Sequence, residues 1–117
     1  MSFDIYEKDF GDYRIWIGPR VAIDPNKDSI DVIVTMKDGS RYIPTFFTLQ
    51  EIATIMEEKK RTGEDGAGKY FWAVDWVVID QITHTNIEHV IAAMVKDGTL
   101  QRCAKRYQPQ SKDEING

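Results

Sequence analysis

Three features of the sequence predict an α+β fold: a β-branched run at Ile30–Met36 that meets Asp38-Gly39, two amphipathic stretches that open on Thr, and an apolar run at Tyr70–Ile79. Amphipathic helices need an apolar sheet face to bury against. The expected architecture is therefore a two-layer sandwich, in which a partly antiparallel sheet of about four or five strands is packed by two amphipathic helices. The element order reads βββαβα, with room for a final β over 99–107.

In chain order, Tyr13-Arg14-Ile15-Trp16-Ile17-Gly18 interleaves apolar and polar residues, and Gly18-Pro19 closes the run, as at the end of a strand. In the next strand Ile30, Val32, Val34 and Met36 share one face, and Asp31, Ile33 and Thr35 share the other. Asp38-Gly39 suits a tight reversal, so a return strand is expected over 40–47. Pro44 lacks an amide donor, which predicts a sheet edge, a bulge or a bend there.

Thr48-Leu49-Gln50-Glu51 matches a helix-capping box. Leu49, Ile52, Ile55 and Met56 then trace one helical face, Lys59, Lys60 and Arg61 suit the negative helix end, and Gly63 suits its cap. Tyr70–Ile79 carries apolar residues at both parities, the pattern of a strand covered on both sides or paired centrally. A second helix is expected over 86–97, capped by Thr85-Asn86-Ile87-Glu88, with Ile87, Val90, Ile91, Met94 and Val95 inward and Gly98 at its end.

The chain has 117 residues, 42% of them hydrophobic and 29% charged, which fits one globular domain; that domain is expected over 1–107, with a polar tail over 108–117. Its net charge of −4, with Asp4, Glu7, Asp9 and Asp12 at one end, argues against a nucleic-acid partner. The run at Tyr70–Ile79 is half the length of a membrane span and is broken by Asp75, so no membrane partner is expected. The N-terminus carries acids where a secretory signal carries lysines, and Cys103 is the lone cysteine, so the expected location is a reducing cytoplasm.

The motifs that resemble chemistry fail on context. Gly63-Glu64-Asp65-Gly66-Ala67-Gly68-Lys69 has the spacing of a phosphate loop, but Tyr70 replaces its Ser or Thr and no helix follows. Asp24-Pro25-Asn26-Lys27-Asp28 opens like a calcium loop, yet Ser29 stands at the turn glycine and Thr35 at the bidentate Glu; an Asp- and Pro-rich turn explains it. His84 and His89 are five apart, which separates them around a helix. Cys103 has cationic neighbours but no base partner in view. No catalytic residue, metal site or cofactor is expected.

What remains is the aromatic strand. Tyr70, Trp72 and Trp76 share one parity, Asp75 the other, and Trp16 adds a third indole. A carboxylate in an apolar strand needs a partner or access to water, or else sits as a perturbed acid in a pocket. Three indoles in a small domain fill a core or form a recognition face, and the core is the ordinary place for them. At Gly68-Lys69-Tyr70-Phe71-Trp72-Ala73-Val74-Asp75 the chain resembles a family of small uncharacterised bacterial proteins, with a Thr-initiated helix before the motif and a capped helix after it. The resemblance spans about residues 30–98 and implies a bacterial cytoplasmic origin; the family brings no assigned activity.

The expected function is a non-enzymatic protein-interaction module, such as an inhibitor, an immunity factor or a complex subunit. Its partner is a protein, either another chain or a second copy in a homodimer. The alternative is a small-ligand binder or enzyme with Asp75 in an aromatic-lined pocket. The face that carries either reading is Tyr70, Trp72, Asp75, Trp76 and Trp16.

Overall fold

A computed structural model describes residues 5–19, 23–71, 76–103 and 105–106. Strands β1 (Tyr6–Asp9) and β2 (Tyr13–Ile17) form an antiparallel hairpin. They are followed by β3 (Ser29–Asp31), β4 (Ile33–Met36), β5 (Arg41–Ile43) and β6 (Thr45–Phe47). Then come α1 (Leu49–Thr62), β7 (Trp76–Val78), α2 (His84–Asp97), α3 (Thr99–Cys103) and β8 (Lys105–Arg106). The α+β class is as the sequence predicts, with the strands divided between two sheets ordered β1-β2-β4-β5-β8 and β3-β6-β7.

The division arises inside one hairpin. Ile30 stands opposite Phe46, and Val34 opposite Tyr42, so the register passes through the bend without a slip. At the bend the Val32 amide donates to the Pro44 carbonyl at 3.1 Å, while Pro44 has no N–H to return. The lost bond breaks each long strand in two, so that of the edge, bulge or bend expected at Pro44 the structure shows a bend. At the tip Met36 N donates to Ser40 O at 2.7 Å, and Gly39 alone in the reversal takes a positive φ, of 91°. The Asp38 carboxylate locks the turn by accepting from Ser40 N at 2.9 Å and from Ser40 Oγ at 2.6 Å.

Inward residues of both sheets meet in one core that includes Ile15, Ile17, Val32, Val34 and Phe46, all fully buried. Helix α2 closes it with Ile87, Ile91 and Met94, and Leu100 of α3 adds to it. Each fully buried aliphatic or aromatic side chain contributes roughly 1.5–3 kcal/mol from removal of apolar surface from water.

The two main helices differ. Helix α1 has its expected cap, with Thr48 Oγ1 accepting from Glu51 N at 3.1 Å and Gly63 left-handed at its end. Its partner is the turn at Asp65–Gly68, and none of its residues is fully buried. Leu49 is 72% exposed, and Ile52, Ile55 and Met56 are only half-buried.

Four sequence expectations need correction. Strand β1 is additional, because Glu7, Lys8 and Asp9 disguise an edge strand whose charged side chains stay wet. Helix α2 begins two residues early, capped by Thr83, whose Oγ1 accepts from Asn86 N at 3.1 Å. Residues 99–103 are helical, and the final strand is only Lys105–Arg106, paired with β5. The apolar run at Tyr70–Ile79 is, among the described residues, a strand only over Trp76–Val78. It is an edge strand rather than a central one: β7 pairs parallel with β6, and its far side has no partner among the described residues.

Candidate functional site

Of the five residues singled out in the sequence, Trp72 and Asp75 lie outside the described residues. Tyr70 is 56% exposed and precedes β7 without being part of it. Its ring lies over Gly66, where an added Cβ would come within 2.5 Å of it. Trp16 is 38% and Trp76 40% exposed, so neither indole belongs to the core.

Strand alternation explains both positions. Ile15 and Ile17 take the inward places of β2, which leaves Trp16 outward, beside Ile33 of β4. On β7 the sole inward residue is Val77, beside Phe46, so Trp76 and Val78 face out, next to Thr45 and Phe47. The bent hairpin therefore carries the two indoles on its outer side but on opposite flanks.

Trp76 has aromatic company. Phe71 meets it edge-on with ring centroids 6.0 Å apart, and meets Phe47 edge-on at 5.3 Å. Such edge-to-face contacts hold rings at a fixed angle and are worth about 0.5–1.5 kcal/mol beyond area burial. Phe71 thus ties the chain that leaves the Gly-rich turn to the outer face of β6 and β7.

At the end of β7 a groove of about 640 Å³ opens, lined by Val78, Ile79 and Asp80, by Thr48, Leu49 and Gln50 at the start of α1, and by Asn26. Its walls are held by hydrogen bonds. Thr48 is buried, and its amide donates to Asp28 O at 3.2 Å. Ile79 N donates to Phe47 O at 2.8 Å, and Gln81 Nε2 to Asn26 Oδ1 at 2.8 Å. The loop that resembled a calcium site closes here as a turn, with Asn26 N on Asp24 Oδ1 at 2.9 Å. Leu49 and Val78, 72% and 40% exposed, make the mouth of the groove apolar, and Asp80 is the charged residue among those lining it.

A polar cluster at the start of α2 joins Tyr6 and Lys8 to a His84–Glu88 pair that the expected cap at Thr85 argued against. Because α2 starts at His84, His84 and Glu88 fall one turn apart on the same side. Tyr6 of β1 stacks on His84 with centroids 4.2 Å apart and donates its hydroxyl to Glu88, and Lys8 Nζ lies 3.7 Å from Glu88 Oε1. Burial lowers the His84 pKa from its ordinary value. The cluster clasps the β1–β2 hairpin to α2. Its only signal in the sequence is the four-residue spacing of His84 and Glu88, which the competing cap at Thr85 hides.

Among the described residues no group of three or more His, Cys, Asp or Glu side chains could hold a metal ion. No helix among them is long and apolar enough to cross a membrane. No family model, curated protein or solved structure matches the chain.

Proposed function

We propose that the chain is a non-enzymatic protein-interaction module of a bacterial cytoplasm, and that its contact surface is the outer face of β7 together with the groove at the start of α1. One observation carries this reading: Val78 and Leu49, from two separate elements, are exposed at one groove, and Trp76 is exposed two residues before Val78 on the same outer face of β7. Large apolar side chains in contact with water are costly when they cluster, and clusters rimmed by polar groups are characteristic of binding surfaces. Trp is further enriched among residues that dominate binding energy. The bacterial origin rests on the resemblance around Gly68–Asp75, and roles as inhibitor, immunity factor or complex subunit all fit such a surface.

Native mass measurement of the tagged chain, in lysate at near-physiological concentration, tests the proposal. The expected result is a defined complex that is lost on Val78→Asp or Leu49→Asp, both at solvent-facing positions and so tolerated by the fold. Free monomer alone, or a complex indifferent to both substitutions, contradicts it.

A further inference from the structure

We infer that β7 is an acceptor edge for an extended, cationic segment of the partner protein, which adds to the β3-β6-β7 sheet as its next strand. The inference rests on the interaction reading above and gives the partner a chemistry.

The backbone supplies the first argument. In the parallel pairing of β6 and β7, Phe46 lies beside Val77, and Ile79 N donates to Phe47 O at 2.8 Å. Alternate residues of a parallel strand direct their peptide groups to the same neighbour. Val77 and Ile79 therefore serve β6, and the peptide groups of Trp76 and Val78 point the other way, where no strand pairs among the described residues. An open edge is a template for another chain, and proteins ordinarily blunt it with Lys, Pro or a bulge. β7 is Trp-Val-Val and carries none of these.

Side chains supply the second. An added strand would set alternate residues against Trp76 and Val78 and could run on past Val78 into the groove beside Leu49. Charge supplies the third. Asp80, the charged residue lining the groove into which the added strand would run, is negative, as is the net charge of −4. It favours a basic segment over an acidic one, and disfavours a second copy of this chain, which would bring Asp80 and its own negative charge to the same edge.

Panning the full chain against a phage-displayed library of random nine-residue peptides tests this. The expected result is enrichment of peptides with Lys or Arg and alternating apolar residues. Amide NMR shifts should move at Trp76 and Val78, and N-methylation of alternate peptide bonds should abolish binding. Asp80→Lys should weaken binding about fivefold or more. Val78→Pro should eliminate it while sparing the ladder to β6, because the Val78 amide faces away from that ladder; if that variant does not fold, Asp80→Lys and N-methylation decide. Acidic or helix-patterned winners, shifts centred on Trp16, a dimer as the only species formed, or no enrichment would each overturn the inference. If peptides fail but the native complex in lysate forms and depends on Val78, the interaction reading stands and only the strand-addition reading falls.

Discussion

Two neighbouring residues in the Gly-rich turn have opposite requirements. Gly66, Ala67 and Gly68 all adopt positive φ, of 72°, 57° and 73°. Ala67 bears the steric cost of that region, roughly 1–2 kcal/mol, whereas at Gly68 an added Cβ would lie 2.2 Å from Met56 O. Ala67→Gly should therefore leave stability within about 1 kcal/mol of the parent, on the stabilising side, after the entropy of glycine is subtracted. Gly68→Ala should cost about 2 kcal/mol or more, because α1 must shift as well as the turn; chemical denaturation of both variants checks the contrast. The sequence showed the glycines but not which of them touches α1, since that depends on how the helix and the turn meet. His84 gives a second residue-scale prediction. Burial holds its folded pKa below the unfolded value of about 6.5. Between the two values the unfolded chain binds the extra proton, so stability falls as pH drops through about 6.5 and levels off below the folded pKa. The loss of stability between pH 7.5 and pH 5 should be smaller in His84→Gln than in the parent, and equal losses would contradict the placement of His84 against Tyr6.

At the scale of elements, α1 and α2 look alike in sequence but are held differently. Both have a Thr cap and a left-handed glycine at the end, yet α2 buries Ile87, Ile91 and Met94 while α1 buries none of its residues. Ile91→Ala should cost about 2–5 kcal/mol, and Leu49→Ala, at a position 72% exposed, should change stability by no more than about 0.5 kcal/mol. Thermal unfolding distinguishes them. Periodicity made both helices legible, because an apolar stripe marks a face whether or not anything covers it. It could not say which stripe lies on the sheet. The same limit explains β7: an apolar run with no polar alternation reads as central, but here Trp76 and Val78 are the outward residues of an edge. Pro44, by contrast, marked an interruption of its strand, as an edge, a bulge or a bend, since a missing N–H costs a ladder bond in any fold; the structure makes it a bend.

At the scale of the molecule, the bent hairpin is the common strand pair of both sheets, and Phe46, Val32 and Val34 put its inner face in the single core. The two sheets should consequently unfold together. Trp16 reports on one sheet and Trp76 on the other, so proteins retaining a single indole at each position should show coincident denaturation midpoints, and Phe46→Ala should lower both equally, by about 3–5 kcal/mol. Separate transitions would mean that the sheets are independent units. What this frame leaves over is an edge unpaired among the described residues, a groove and the apolar start of a helix, gathered by residues distant in sequence. The most direct test of that surface is a photo-reactive phenylalanine analogue placed at position 76 in one protein and at position 14, also exposed, in another. Irradiation in lysate should yield a discrete cross-linked complex from position 76 and none from position 14; cross-linking that is equal at the two positions, or confined to position 14, would contradict the assignment.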